Sequence, residues 1–452
     1  MRRTRTRIAF ALIAVATPIA AAGCSASGGS GSASGPVTLN YALWDQTQEP
    51  GYQACATAFT AQNPDIKIKI TQTAWNNYWT NLTTQMTAGD APDVFVDHVA
   101  YYPQFVADNQ IMDITGDVAS SNVNLNQYQP GLANLWVDNG KRYGLPMDWD
   151  TEGLVYNAKM LKAQGVSPSS LDDLTWNPTD GGSFEKLIAE LTIDDNGNNG
   201  LSPKFDKNHV KVYGFVPTYD DGNTGQNGWG DLAEENGFTF LPQPFSTDYD
   251  YDSPALAQTI TWMASLAQKG YAPPYSKNSS LGVQSVLDAG QGAMTILGSF
   301  DVSSYVGPSQ KQDYGFAELP IGPDGRKTLI NDTSDAIWAG TKYPAQAWKW
   351  VEYLASPACQ NIVATKGVVF PAITEASTKA ETARIAEGQA ITPFVQEAEA
   401  PGDTFIYPIS QGEDQISTEL QAQLDAVWLG QSSAASALST AQSAVSGYVS
   451  QP

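Results

Sequence analysis

The stretch VLDAGQGAMTILGSF, residues 286–300, joins the end of one predicted helix to a predicted strand. The helical run ends at the two glycines of the DAGQG segment, and the apolar residues 293–297 continue as a strand. Gly298 breaks that strand and presents Phe300 between a serine and an aspartate. The strand therefore ends where polar and aromatic side chains are available.

Three motifs follow this stretch in a fixed order. They are LINDTSDAIWAG at 329–340, the aromatic-rich helical run AWKWVEYLASPACQ at 347–360 and KGVVFPA at 366–372. The ordered set resembles the extracellular solute-binding proteins of carbohydrate ABC transporters, the family that includes maltose-binding protein. The resemblance implies an α/β, two-lobe, periplasmic-binding-protein-like fold (type II), with a hinge of about three crossing segments.

The chain length supports a division into two lobes, because 452 residues are too many to fold around a single hydrophobic core. From the resemblance we expect the first lobe to contain residues 37–150 and 293–340. The second lobe is then expected to contain residues 151–292 and 341–452.

The first 23 residues have the parts of an export signal: four arginines, an apolar run of about fifteen residues and small residues before Cys24. The segment AAGC resembles a bacterial lipobox, which implies cleavage before Cys24 and lipidation of its thiol. Residues 24–36 are mostly glycine and serine and predict a flexible tether. We therefore expect a lipid-anchored protein on the extracellular face of the cell membrane; the alternative is a secreted protein with a chance cysteine.

The sequence is strongly acidic, with 47 Asp and Glu against 24 Lys and Arg. Removal of the four arginines in the signal leaves 20 basic residues and a net charge near −27. Such a surface repels phosphate backbones and anionic headgroups, so nucleic acid is not an expected partner. A neutral or cationic ligand fits this charge better than an anionic one.

If Cys24 is lipidated, Cys55 and Cys359 remain as a potential pair in an oxidising compartment. Both lie in predicted helices, where buried unpaired cysteines are common. The resemblance assigns the two helices to different lobes, and a bridge between lobes would restrict their opening. We therefore expect no disulfide.

Several candidate ligand-binding residues follow predicted strands of the first lobe. Residues 37–43, 66–70 and 93–97 read as strands separated by helices. Ligands of open α/β sheets bind beyond the carboxyl ends of the strands. This rule, with the aromatic residue that opens the second helix, selects Trp44, Asp45, Trp75, Asp97, His98 and Tyr101. The alternative role for each is a helix cap or an aromatic at the edge of the core.

The segment YGLPMDWDTEGLVYN, residues 143–157, resembles the family's first crossing between lobes. In an extended chain Asp148 and Asp150 point to one side and Trp149 to the other. A retaining glycosidase holds two carboxyl groups ~5–5.5 Å apart, flanking the scissile bond, which neighbours on one strand do not easily do. We therefore favour sugar binding by these carboxylates over catalysis.

Aromatic residues elsewhere complete the predicted site. Trp229 lies in a polar, glycine-rich loop and is interpreted as a platform for a sugar ring. The resemblance places Phe300, Asp335 and Phe370 near the hinge and the cleft.

A calcium loop is a second candidate site. Asp194, Asn196 and Asn198 occupy positions 1, 3 and 5 of an EF-hand-like pattern. The pattern then departs, because position 6 is Asn199 and position 12 is Phe205. A turn without an ion is favoured, and calcium remains the alternative.

Three functions are compatible with these features. The favoured one is a monomeric carbohydrate-binding lipoprotein that serves an ABC permease and requires no cofactor. The second is an extracellular glycoside hydrolase. The sequence lacks the G-x-S-x-G, H-E-x-x-H and P-loop motifs and has only two histidines, so we expect no enzyme. The third keeps the fold and binds a polyamine or a peptide.

Overall fold

The computed structural model describes residues 36–219, 222–307, 310–367, 369–399 and 402–449. The predicted signal, Cys24 and all but the last residue of the predicted tether lie outside the described residues. The described residues from Val37 onward form one compact unit. None of the described helices is both long and apolar enough to cross a membrane.

The strands of the described residues are numbered in chain order. They are β1 (Val37–Leu43), β2 (Ile66–Gln72), β3 (Val94–His98), β4 (Val137–Asp138), β5 (Lys141–Arg142), β6 (Pro146–Asp150), β7 (Glu152–Asn157), β8 (Ile193–Asp194), β9 (Val210–Val212), β10 (Met294–Gly298), β11 (Tyr314–Ala317), β12 (Thr328–Ile337), β13 (Phe370–Pro371) and β14 (Thr404–Ile406).

The α-helices are numbered in the same way. They are α1 (Glu49–Gln62), α2 (Trp75–Ala88), α3 (Tyr102–Ala107), α4 (Thr115–Ser120), α5 (Leu132–Leu135), α6 (Ala158–Ala163), α7 (Gly182–Leu191), α8 (Gly230–Glu235), α9 (Pro254–Lys269), α10 (Tyr275–Leu281), α11 (Val283–Asp288), α12 (Val302–Tyr305), α13 (Pro344–Leu354), α14 (Pro357–Ala364), α15 (Thr374–Ala386), α16 (Thr392–Glu399), α17 (Glu413–Trp428) and α18 (Ala434–Val449). Short 3₁₀ helices cover Leu125–Gln127, Pro168–Ser170 and Ser299–Asp301.

The larger sheet has the strand order β13-β6-β12-β3-β1-β2, and β14 pairs with the first residues of β12. β1 is parallel to β2 and β3, whereas β12 is antiparallel to β3 and β6. The sequence of β3 is apolar up to Asp97 and buried throughout, as expected of a strand covered on both faces. β2 lies at the edge and exposes Lys67 and Lys69, which hinders pairing with another chain.

A smaller antiparallel sheet, β10-β7-β11, divides its side chains between two cores. Leu154 and Ile296 face one core, and their strand neighbours Val155 and Leu297 face the other. This division follows from the alternation of side chains along a strand. This smaller sheet therefore lies between the two cores and contributes side chains to both.

Two lobes are built around these cores, and the chain passes between them three times. The first lobe contains the larger sheet with α1, α2, α13 and α14, and the second contains α7, α9, α17 and α18. The crossings lie between β6 and β7, between β11 and β12, and between β14 and α17. The first crossing is at the predicted segment.

The other predicted lobe boundaries differ from the structure. β10 was expected in the first lobe but is the antiparallel partner of β7, with Met294 and Ile296 in the second core. The helices α13 and α14 were expected in the second lobe but bury Trp350 and Cys359 in the first core. The chain therefore returns to the first lobe at β12, later than predicted, and leaves it again only after β14.

The expectation that Cys55 and Cys359 stay unpaired is also wrong. The two residues form a disulfide with a Cα–Cα distance of 5.2 Å, and both are fully buried. The expectation rested on an assignment of their helices to different lobes, whereas α1 and α14 pack against each other in the first lobe. A bridge there leaves the hinge free.

Candidate binding cleft

A cavity of about 600 Å³ lies at the carboxyl ends of β1 and β3, and both lobes contribute to its wall. The first lobe supplies aromatic side chains and the paired aspartates of β6. The second lobe supplies the loop 222–227 and the start of α17, and α12 adds Ser303 and Ser304 to the wall. Its position agrees with the rule that places ligands beyond the carboxyl ends of strands in open α/β sheets.

The aromatic wall is formed by Trp44, Trp75, Tyr101 and Tyr407. Trp44 directly follows β1 and meets Trp75, the first residue of α2, edge to face at 5.1 Å between ring centroids. Trp75 is 40% exposed. Tyr101 is stacked at 3.7 Å on the buried ring of Trp79, which fixes its orientation. The exposed indole of Trp75 is therefore available to stack against a ligand.

His98 ends β3 and joins the aromatic wall to the polar floor. Its ring meets Tyr407 edge to face at 5.0 Å, and its Nε2 lies 2.9 Å from the side-chain amide of Asn331. Burial lowers the pKa of His98 to about 3, so the imidazole is neutral near pH 7. The histidine can therefore hydrogen-bond but adds no positive charge.

Asp148 and Asp150 lie on the same side of β6 and form the floor. They are 4% and 6% exposed, and Thr333 donates a hydrogen bond to Asp148 Oδ1. Burial raises the pKa of Asp148 to about 6, with a further contribution from the charge of Asp45. Burial, and then the charge of Asp148, raise the pKa of Asp150.

Trp149 points to the other side of the strand, as the alternation predicts. Its ring stacks on Phe370 at 4.7 Å, and its Nε1 donates to Ser377 Oγ at 3.1 Å. The indole therefore anchors β6 to the core of the first lobe, and 2% of the residue is exposed.

The loop 222–227 of the second lobe forms the opposite wall and is held by hydrogen bonds to carboxylates. Asn223 Nδ2 donates to Glu413 Oε2 at 2.7 Å, and the Asn227 N–H donates to both oxygens of Glu152 at 2.9 Å. Gln226 Nε2 reaches Asp150 Oδ1 at 3.3 Å, which links the loop to the floor. Burial raises the pKa of Glu413 to about 8.

Phe300 enters the cavity from the end of β10. Gly298 makes this possible, because a Cβ at that position would come within 2.1 Å of the Phe300 ring. The adjacent Asp301 also lines the cavity. A glycine is therefore required at the end of β10, because a larger residue would clash with the Phe300 ring.

Nine of the thirteen predicted ligand-binding residues border the cavity and four do not. The nine are Trp44, Asp45, Trp75, His98, Tyr101, Asp148, Trp149, Asp150 and Phe300, although the indole of Trp149 packs on Phe370. Asp97 is buried and accepts the His98 N–H, and Asp335 accepts a hydrogen bond from the Tyr41 hydroxyl at 2.8 Å. Phe370 packs behind Trp149.

The interpretation of Trp229 as an open platform needs correction. The indole is 1% exposed and lies in the second core, because the polar loop folds over it. A Cβ at Gly225 would come within 2.3 Å of the ring, so the glycine allows this close cover.

Four lining residues had no distinctive sequence signal: Asn331, Thr333, Tyr407 and Glu413. Glu413 opens α17 and reads in the sequence as an ordinary acidic residue in a first helical turn. Tyr407 follows a three-residue strand in the third crossing. Only the return of the chain through the hinge brings them to the cavity.

The predicted calcium loop is organised by one carboxylate. Asp194 Oδ1 accepts the N–H groups of Asn196 and Asn198, and Oδ2 accepts the Asp206 N–H at 3.0 Å and the Asn198 amide at 3.1 Å. Among the described residues, no three His, Cys, Asp or Glu side chains are grouped so as to hold a metal ion. Calcium binding by Asp194, Asn196 and Asn198 stays a prediction.

Residues 44–361 match the family model of the bacterial extracellular solute-binding protein. The chain belongs to this family. Membership assigns this solute-binding protein to the extracellular space or the periplasm. The maltodextrin-binding protein MdxE of Bacillus subtilis is 24% identical over 340 residues, which cover 75% of this chain and 74% of that protein.

Solved structures share the fold of this solute-binding protein. An ABC substrate-binding protein from Listeria monocytogenes, in complex with cycloalternan, has a TM-score of 0.77 at 19% identity over 91% of this chain and 98% of its own. A solute-binding protein from Thermotoga lettingae, bound with α-D-tagatose, has a TM-score of 0.73 at 19% identity over 91% and 99%. The predicted α/β fold with two lobes of type II is thereby confirmed.

Proposed function

We propose that this solute-binding protein captures a sugar or short oligosaccharide in the cleft and delivers it to an ABC importer. The observation that carries the proposal is the exposed indole of Trp75 beside Trp44, facing a set of carboxyl and amide side chains in one cavity. Aromatic rings stack on the apolar faces of sugar rings, and carboxylates and amides hydrogen-bond to hydroxyls. The cavity volume is in the range of small-molecule sites.

The relatives support a carbohydrate ligand. One is named for maltodextrin, and two proteins of the same fold have solved structures with cycloalternan and with tagatose. Hinge closure is the means of capture, because the cavity draws its walls from both lobes and the crossings connect them.

The proposal includes no hydrolysis. Asp148 and Asp150 are neighbours on one strand and share one side of the cavity. A glycosidase needs carboxyl groups on opposite faces of the scissile bond, and this pair does not supply them. We also propose that the protein is monomeric and is held at the extracellular face of the cell membrane by lipidated Cys24 and the tether, as the sequence pattern indicates.

The test is a titration of intrinsic tryptophan fluorescence in the chain from Ser25 onward. Mono- and oligosaccharides are added first and then polyamines, and chromatography follows the integrity of the sugars. We expect a saturable spectral shift with an intact sugar, because Trp44 and Trp75 line the cavity. Trp75→Ala should reduce the shift.

Two other results would contradict the proposal. A shift with polyamines alone would keep the fold and remove the carbohydrate ligand. Cleavage of a bound sugar would establish a glycoside hydrolase.

A further inference from the structure

Apart from His98, the ionisable carboxyl, lysine and arginine side chains that line the cavity in the described part of the chain are all acidic. They are Asp45, Asp148, Asp150, Asp301 and Glu413, and no lysine or arginine lines the cavity within the described part of the chain. His98 does not compensate, because it is neutral in its buried position. The cavity therefore contains five acidic groups and no cation of its own.

Among the described residues, the hydrogen-bond partners of the two floor aspartates are neutral. The Thr333 hydroxyl donates to Asp148, and the Gln226 amide donates to Asp150. None of the ion pairs found among the described residues involves either aspartate. Both are more than nine-tenths buried and border the cavity. Burial raises the pKa of both aspartates, which disfavours their ionised forms when no ligand is bound, and a cation from the ligand would stabilise those ionised forms.

We propose that the bound carbohydrate is an amino sugar whose protonated amine is held by Asp148 and Asp150. This inference rests on the proposed function and names the ligand class. An ammonium group offers three donors. The Cα atoms of Asp148 and Asp150 lie roughly 7 Å apart along β6, and both side chains are on one side of the strand, so each can direct a carboxylate oxygen to the same amine. The exposed face of Trp75 favours a sugar ring that carries a cation.

The surrounding side chains favour an amino sugar over a simple polyamine. The loop of the second lobe brings Asn227 and Gln226 to the cavity, and Asn331 reaches it from β12. Amides pair with hydroxyl groups, which a sugar has and a polyamine lacks. A neutral sugar would use the amides but leave the floor carboxylates without a cation.

The experiment compares sugars that differ only at the amine. Fluorescence titrations pair glucosamine with glucose, galactosamine with galactose, and β-1,4-linked glucosamine oligomers with cello-oligosaccharides of equal length. N-acetylated oligomers control for the size of the substituent at carbon 2. Spermidine tests an amine without a sugar. We expect the amino member of a pair to bind about tenfold tighter or more.

Substitutions of the floor residues test whether Asp148 and Asp150 cause the difference in affinity between amino and neutral sugars. Asp148→Asn and Asp150→Asn should each remove most of the preference for the amino sugar. Asp90→Asn, at an exposed position outside the cavity, should leave the preference unchanged. Thermal unfolding of each variant, together with its residual binding of the neutral sugar, separates a lost preference from a lost fold.

The outcomes distinguish this inference from the proposed function. If a neutral sugar binds as tightly as its amino twin, or if no amino sugar binds, the amino-sugar inference is overturned. Binding of any neutral sugar would still support the proposed function. Binding of spermidine alone would overturn both.

Discussion

Cys55 in α1 is bonded to Cys359 in α14, although 304 residues separate them in the sequence. Both side chains are fully buried in the core of the first lobe. The bond therefore closes a loop that contains the larger part of the second lobe without joining the two lobes to each other. Stability and ligand binding should respond differently to its removal.

The double variant Cys55→Ser/Cys359→Ser should lower the free energy of unfolding by about 2–5 kcal/mol. The loss comes from the greater freedom of the unfolded chain, so ligand affinity should change little. Urea unfolding and a binding titration on the chain from Ser25 onward measure the two effects. Detection of two free thiols in the unreduced, unfolded wild-type chain would show that the bond is absent.

Trp75→Ala should weaken ligand binding about tenfold or more, which corresponds to about 1.4 kcal/mol. The ring is 40% exposed at the cavity, so its removal should change the unfolding temperature little. The matched control is Trp176→Phe, which alters an indole buried in the second core and away from the cavity. That variant should lower stability and leave affinity intact. Equal losses of affinity in both variants would argue against a ligand contact at Trp75.

Glu413 should make the protein less stable as the pH rises. Burial raises its pKa from 4.5 to about 8 in the folded state. Folding therefore favours the protonated form, so its stabilisation is complete below about pH 4.5 and is lost as the pH rises toward 8. For this one group the slope is at most about 1.4 kcal/mol per pH unit.

Glu413→Gln tests this dependence, because glutamine is neutral and can still accept the Asn223 hydrogen bond. The variant should gain stability relative to the wild type between pH 5 and about 8. Glu387→Gln, at an exposed position, is the control and should show no such trend. Parallel stability curves for Glu413→Gln and the wild type would mean that Glu413 ionises normally in the fold.

Asp194→Ala should lower the unfolding temperature, because the loop loses the acceptor of four hydrogen bonds. We expect the same unfolding temperature for the wild type in EDTA and in calcium chloride, since amide donors already engage both carboxylate oxygens. If calcium chloride raises the unfolding temperature of the wild type but not that of Asp194→Ala, the calcium site would instead be established. Ligand affinity should be unaffected, because Asp194 does not line the cavity.

The sequence correctly predicted features that a local pattern determines, such as the side of a strand on which a side chain lies. Alternation along β6 correctly put Asp148 and Asp150 on one side and Trp149 on the other. The ends of β1 and β3 correctly located Trp44 and His98 at the cavity. These features depend on the geometry of a single strand, which neighbouring residues determine.

Contacts between residues that are far apart in the sequence could not be predicted from local patterns. β10 is apolar on both faces, so its composition could not reveal that β7 is its neighbour. Trp229 has polar sequence neighbours, but its contacts come from Phe240 and other residues of the second core. Glu413 reaches the cavity only because the third crossing brings α17 there.

The position of β12 has a consequence for the order of assembly during synthesis. This strand begins at Thr328 and lies between β3 and β6, near the middle of the larger sheet. Until it has been translated, β6 has no hydrogen-bonded link to β3. The first lobe therefore cannot close its sheet until about three-quarters of the chain exists. The amino-terminal half begins the lobe but must wait for a much later segment to complete it.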